Sequence, residues 1–345
     1  MTLSSRKVLL VAPSWVGDMI MSHSLIQLIR ARYGSLCVID VLAPNFALDL
    51  YKRMPEVRQV WSNPFGHGEL NLARRFSLGL KFRAEHYTQV FVLPNSFKSA
   101  LIPFFARIKQ RTGMLGEMRY LLLNDYLNLD KVRWPRMVDR FCALLNSTNQ
   151  TNQAHAIPQP QLAVDKVQQS ATLARLNLQL NQPVVCLCPG AEYGPAKRWP
   201  SAYFAEVAGT LQQRGYQVWI MGGENDQGVA SAIVEQASLR SWLIDLSGRT
   251  RLSEVLDLLA CSSLVISNDS GLMHLACAVA VPVIAIYGSS SPDFTPPLST
   301  EANIIKVDLE CAPCFQRTCR YGHYNCLQQI TPDAILRRVE TMGLC

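Results

Sequence analysis

With 345 residues, 49% of them hydrophobic and 17% charged, the chain is long enough for two cores of ordinary domain size, and its composition excludes a disordered protein. The formal charge of +7 marks a mildly basic surface suited to an anionic partner such as nucleic acid, acidic lipid or a phosphorylated sugar. No run reaches the roughly 18 apolar residues that span a bilayer, and residues 8–12 are too short an apolar stretch for a signal-peptide core, so a cytoplasmic protein with mostly reduced cysteines is expected.

Residues 7–12 read as a buried strand. A Pro-Ser-Trp-Val-Gly-Asp turn follows at 13–18, and the spacing of Ile20, Leu25, Leu28 and Ile29 is helical. Strands are predicted again at 37–42 and 90–93, with helix-like segments between them, which is the pattern of an α/β layer with parallel strands. Residues 95–108 and 112–120 combine basic residues with Gly and aromatic side chains and are predicted as loops or helix starts. Residues 147–163 turn to Ser, Thr, Asn, Gln and Pro with little apolar periodicity, and a linker is placed there.

Beyond it the alternation restarts. Strands are predicted at 184–188, 217–221 and 242–246, and helices from about 201, up to about 237 and at 253–260. The stretch 264–288 then supplies a strand, the turn Asn268-Asp269-Ser270-Gly271, a helix over about 272–279 and a second strand at 282–287. The fold class this predicts is α/β, with two Rossmann-like doubly wound domains: residues 1–160, residues 161–330, and a final segment 331–345 whose helix is expected to pack back on the first domain.

In such sheets, ligands gather at the C-terminal ends of the strands. In the second half this places together the loop 189–200 with Lys197, the turn at Glu224, and Asp269, Ser270 and Gly271 with His274, a grouping able to hold a nucleotide diphosphate. Two readings fit the Asp-Ser-Gly turn: an anion site at a helix start, or an ordinary capped crossover helix. Glu224 can accept from ribose hydroxyls or merely complement a helix N-terminus. Asp18 can act as a general base or cap its own helix. Lys98, Arg111 and Arg119 can meet an anion or stand as solvated charges.

No Asp-x-Asp pair occurs, so the charge of a departing diphosphate falls to Lys197 and helix amides rather than to a metal. Gly-x-Gly-x-x-Gly is absent as well, which counts against a dinucleotide oxidoreductase. Cys311, Cys314, Cys319 and Cys326, with His323 nearby, form the densest thiol cluster; reduced thiols, a zinc site and disulfide pairing all fit the spacing.

Five separated segments, PSWVGDMIMS at 13–22, NSFKSALIPFFA at 95–106, PGAEYGPAKRWP at 189–200, NDSGLMH at 268–274 and YGSSSPDFTPPLS at 287–299, resemble the ADP-heptose:lipopolysaccharide heptosyltransferases. The resemblance implies a GT-B architecture, with two Rossmann-like domains facing a central cleft, and an inverting, metal-independent transfer that uses no cofactor. The donor it implies is ADP-L-glycero-D-manno-heptose, bound by the C-terminal domain. The acceptor it implies is Kdo-lipid A, expected here as heptosyl-Kdo2-lipid A receiving a second heptose in lipopolysaccharide core biosynthesis, with peripheral contact at the inner face of the inner membrane and no nucleic acid.

By the same resemblance Asp18 is the base and Lys197 the phosphate-binding lysine. Glu224 is the ribose-binding acid, Thr250 lies near the adenine, and Asp269, Ser270, Gly271 and His274 grip pyrophosphate and heptose. Glu192, between Ala191 and Tyr193, stands where relatives that add the first heptose carry hydroxyl residues, and is counted with the donor site. Ser14, Asn95, Lys98 and Arg119 are the acceptor-side candidates. The competing readings are a sister enzyme that adds the first or a later heptose and a non-catalytic nucleotide-sugar-binding module.

Overall fold

The structure is a computed structural model that describes residues 6–66, 68–146 and 156–343. The chain divides into two compact units, Met1–Leu162 and Ala163–Cys345.

In the first unit β1 (Lys7–Val11), α1 (Val16–Tyr33), β2 (Val38–Pro44), α2 (Leu48–Tyr51) and β3 (Val57–Asn63) are followed by α3 (Leu72–Arg83), β4 (Gln89–Val92), α4 (Leu101–Phe105), β5 (Gln110–Met114), β6 (Asp125–Leu127) and α5 (Met137–Ala143). The six strands are parallel in the order β3-β2-β1-β4-β5-β6. The order reverses between β1 and β4, so the segments leaving those two strands flank the crevice where doubly wound sheets take ligands. β1 is a run of aliphatic residues because it is covered on both faces, and Val8, Leu9 and Leu10 are fully buried.

Residues 13–18 are only partly a loop. α1 already begins at Val16, so Asp18 sits in the first turn of that helix. Thr112, Gly113 and Met114, predicted in a loop or helix start, lie in β5. Of the expected linker, residues 147–155 fall outside the described residues. The segment 156–162 is tied to α1, where Ser24 Oγ donates to the Pro158 carbonyl (2.6 Å) and the Gln161 amide donates to His23 Nδ1 (3.1 Å). That donation leaves Nε2 of the buried His23 to meet Glu56 at 2.7 Å, which satisfies both ring nitrogens.

The second unit runs α6 (Lys166–Arg175), β7 (Val184–Cys188), α7 (Ser201–Gln213), β8 (Gln217–Ile220), α8 (Gln227–Gln236), β9 (Leu243–Asp245) and α9 (Leu252–Leu259). It continues β10 (Leu264–Asn268), α10 (Gly271–Ala278), β11 (Val283–Tyr287), β12 (Ala302–Lys306), α11 (Asn325–Gln328) and α12 (Pro332–Thr341). Its parallel sheet has the order β12-β11-β10-β7-β8-β9, with the switch between β10 and β7.

The final helix, expected to pack back on the first domain, joins the core of the second unit. Ile335, Leu336 and Val339 on one side of α12 join the core formed by Phe204, Val207, Leu211 and Trp199. An apolar face repeating at helical spacing needs the nearest apolar groove, and α7 provides it. Among the described residues no helix is long and apolar enough to cross a membrane.

Candidate active site

The second unit's site grows from the two strands at its switch point. β7 ends in Cys188 and releases residues 189–200, and β10 ends in Asn268 and releases Asp269 into the start of α10. Asn268, fully buried, fastens one loop to the other: its Oδ1 accepts from the Trp199 amide (3.1 Å) and its Nδ2 donates to the Pro189 carbonyl (2.7 Å). With both ends of the 189–200 loop held, Lys197 extends to Asp269, and Nζ lies 2.5 Å from Oδ2.

The carboxylate is nearly buried. Thr295 Oγ1 stands 3.5 Å from each of its oxygens, and Thr295 is itself positioned by its carbonyl, which accepts from the Tyr287 hydroxyl at 2.6 Å. Burial among Asp269 and its neighbours pushes the Tyr287 hydroxyl well above the usual phenol range.

α10 opens at Gly271 beyond Ser270, which takes the N-cap position without a side-chain cap bond, so the helix's first amides have no partner within the helix. His274 lies in that first turn. Burial brings its pKa down to about 4, against the opposing pull of Asp269 and with a further push from Lys197, so the imidazole is neutral at physiological pH. A cation, a ring of helix amides and a neutral imidazole gathered at one strand end can stabilise negative charge as it forms on a leaving group.

Around this centre lie buried hydroxyls with no hydrogen-bond partner. Ser289 and Ser290 follow β11, and Ser247 and Thr250 follow β9. Asp226 Oδ1 is likewise buried and unpaired, while its Oδ2 accepts from the Gly223 amide at 3.0 Å. Asp226 reaches so close to the end of β7 that a Cβ on Gly190 would fall 2.3 Å from its carboxyl, so a larger residue there would have to displace that carboxylate. Unpaired polar atoms of this kind, clustered at strand C-termini, are the groups a polar ligand would satisfy.

Glu224, the acid singled out from the sequence of this turn, is exposed at the rim. Glu192 is exposed too, and its Oε2 accepts from Asn225 Nδ2 at 3.3 Å. Sequence reasoning missed Asn268, Asp226, Thr295, Ser289 and Ser290. The available signal was the unusual run of small hydroxyl residues after the strand at 282–287.

Tyr193 builds the outer wall. Lys197 Nζ lies 5.2 Å and the Arg317 guanidinium 5.3 Å from its ring centroid, and its hydroxyl donates to the Phe315 carbonyl at 2.6 Å. Gly194, with φ at +151°, brings the loop against the backbone of Arg317, where a Cβ would meet the carbonyl oxygen at 2.5 Å. The thiols of Cys311, Cys314, Cys319 and Cys326 are free, and among the described residues no three His, Cys, Asp or Glu are arranged to hold a metal ion. Backbone amides, that of Tyr324 foremost, hold the half-buried Cys319 thiol below the usual range.

In the first unit, Ser14 is exposed just ahead of α1 and Asp18 is half-buried in its first turn. Asn95 and Lys98 lie beyond β4, on the loop 94–99 at the same end of the sheet. Arg119 departs from its sequence reading. It is fully buried, and Nη1 donates to the Pro94 carbonyl (2.7 Å), the Ser96 carbonyl (3.1 Å) and Ser99 Oγ (3.0 Å), while Nη2 donates to the Met114 carbonyl (2.6 Å). The guanidinium is spent on shaping the 94–99 loop, and burial lowers its pKa to about 10. A sequence cannot distinguish a cation that faces a ligand from one that braces the loop beside it.

Two doubly wound units, the second with its cation and helix start gathered at the topological switch, make up the kind of protein that moves a sugar from a nucleotide: a glycosyltransferase of GT-B type. The chain belongs to glycosyltransferase family 9 (heptosyltransferase), whose family model matches residues 75–325. It is 43% identical to lipopolysaccharide heptosyltransferase 2 of Escherichia coli strain K12, over 98% of this chain and 99% of that one. Against lipooligosaccharide heptosyltransferase 2 of Haemophilus influenzae it is again 43% identical, over 97% of this chain and 99% of that one. The solved structure described as E. coli ADP-heptose lps heptosyltransferase II superimposes with a TM-score of 0.88 at 40% identity, covering 98% of each chain.

Proposed function

We propose that the chain transfers L-glycero-D-manno-heptose from ADP-heptose to the first heptose of heptosyl-Kdo2-lipid A, in one inverting displacement that needs no metal. The observation that carries the reading is the Lys197–Asp269 pair at the start of α10. The donor diphosphate takes up Lys197 and the first amides of α10, so the charge that develops on departing ADP is met where it forms. His274, neutral and buried beside them, adds no competing charge and can hydrogen-bond the heptose or a phosphate oxygen.

The orphaned hydroxyl of Thr250 supports an adenosine contact after β9, with Glu224 and Glu192 at the rim of the same site. Asp18 removes the proton from the attacking acceptor hydroxyl. Ser14, Asn95 and Lys98 contact the acceptor's sugar and anionic groups, and Arg119 holds the 94–99 loop that carries Asn95 and Lys98. The acceptor is a membrane lipid, so the enzyme works in the cytoplasm at the inner face of the inner membrane.

The test is to incubate the chain with ADP-heptose and, separately, Kdo2-lipid A carrying zero, one or two heptoses, and to weigh the products by mass spectrometry. The expected result is one added heptose and one ADP released with the one-heptose acceptor alone. Gain on the acceptor without heptose would make this a sister enzyme, and no ADP release with any of the three would make it a binding module.

A further inference from the structure

The first unit carries an apolar row on its surface that its own core does not use. α3 turns Arg75, Gly79 and Phe82 inward, yet Leu72, Phe76 and Leu80, spaced one turn apart, stay 50%, 45% and 40% exposed. Gly79 lets α3 press onto α4, since a Cβ there would lie 2.5 Å from that of Phe105. The row passes from Phe76 to Phe105, edge to face at 5.2 Å, and on to Phe104, 39% exposed. Arg111, 5.6 Å from the Phe104 ring, donates to the Leu122 carbonyl at 2.7 Å, which brings up Leu121, 86% exposed.

Scattered surface leucines need no explanation. Here the charge around them does. Residues 70–111 hold eight Lys and Arg against the single carboxylate of Glu85, an excess of seven that equals the +7 of the whole chain, so the remaining residues hold cations and carboxylates in equal number. Arg74, Lys81, Arg107 and Lys109 of this set are exposed. A second copy seated on the same face would oppose that excess with its own, and a nucleic acid would use the cations and leave the Leu and Phe row in water. A surface that is apolar in depth and anionic above satisfies both.

We infer that the α3–α4 face of the first unit docks on an anionic lipid bilayer, with Leu72, Phe76 and Leu80 entering the headgroup layer and the surrounding Lys and Arg pairing with lipid phosphates. The inference rests on the proposed function only in that a lipid acceptor brings the enzyme to a membrane.

Co-sedimentation of the full chain with vesicles of neutral phosphatidylcholine, and with vesicles about one-third phosphatidylglycerol, tests it. Binding is expected to the anionic vesicles only, and raised salt should weaken it. F76S/L80S, and separately K81E/R107E, should each lower the affinity about tenfold while thermal melting stays unchanged. Equal binding to both vesicle types, or wild-type binding by both variants, would overturn the inference. So would a dimer in sedimentation equilibrium that F76S/L80S dissolves, because the occupant would then be a second copy. Transfer to an acceptor stripped of acyl chains separates the two ideas: the variants should retain it, and its absence in the wild type would count against the proposed function and leave the vesicle result standing.

Discussion

Lys197→Met tests the central pair, because it separates what the ion pair does for folding from what the cation does for the reaction. The substitution keeps most of the side chain's bulk and leaves the Asp269 carboxylate, 4% exposed, with only the long contact to Thr295 at 3.5 Å. Removing one partner of a buried pair costs about 3 to 5 kcal/mol, and the 17% exposure of Lys197 puts this case near the lower end, about 3 kcal/mol. For a unit of this size that corresponds to a fall of about 6 to 12 °C in melting temperature.

Adding Asp269→Asn removes the stranded charge, so the double variant should regain most of the lost stability. Transfer should behave differently. Without the ammonium the departing diphosphate loses one preorganised partner, and kcat/KM for ADP-heptose should fall about 10²- to 10³-fold in both variants. Scanning calorimetry and a coupled assay of ADP release measure the two quantities on the same samples. An unchanged kcat/KM in Lys197→Met, or a double variant that recovers transfer along with stability, would refute the assignment.

Asp18→Asn should lower kcat about 10²- to 10⁴-fold and leave ADP affinity by titration calorimetry unaltered. His274 couples folding to pH. Its pKa is about 4 folded and near 6.5 unfolded, so its contribution is whole at pH 6.5 and above and is lost as pH falls toward 4, by about 3 kcal/mol in full. Urea midpoints measured from neutral pH downward should decline less steeply in His274→Gln. Arg119→Met strands the carbonyls of Pro94 and Met114 and should cost about 2 to 4 kcal/mol. Arg119→Lys should restore part of that stability, and the residual defect should raise KM for the acceptor rather than KM for ADP-heptose.

The strands most legible in the sequence are the buried ones, although the half-buried β9 is legible too. β7, β10 and β11 read as strands because VVCLC, LVISN and VIAIY are almost continuous apolar runs. β3, β5, β12 and β6 are not legible: VRQVWSN and ANIIK interleave polar residues as partly exposed strands do, QRTGM opens on polar residues and holds a Gly, and DYL is three residues long. The start of α1 carries no marker in the sequence because Trp15 is the N-cap and makes no side-chain cap bond, so the usual Ser or Asp is missing. The site was legible as a set of motifs and illegible as a geometry. Nothing in the spacing of Lys197 and Asp269, 72 positions apart, shows that their charged atoms touch. Likewise, nothing in the order Gly-Gly-Glu-Asn-Asp shows that the inward carboxylate of residues 222–226 is Asp226 rather than Glu224.

The pair also constrains how the donor can be held. Asp269 pairs with Lys197, so under the proposed reading an arriving diphosphate would bring two more negative charges to an ammonium that already has a partner. If that cation worked alone, donor and Asp269 would compete and binding would be weak. The first amides of α10 and the unpaired hydroxyls of Ser289 and Ser290 are donors that cost no carboxylate its partner, so in the proposed mode they would grip the diphosphate while Asp269 still fixes the lysine's position. A neutral His274 belongs to the same proposed balance, since a second full cation within electrostatic reach of Lys197 would repel it and a second anion would disfavour the donor. Under the proposed function, transition-state charge would be stabilised by groups already oriented before the bond breaks, with the Lys197–Asp269 contact as the fixed point of that orientation.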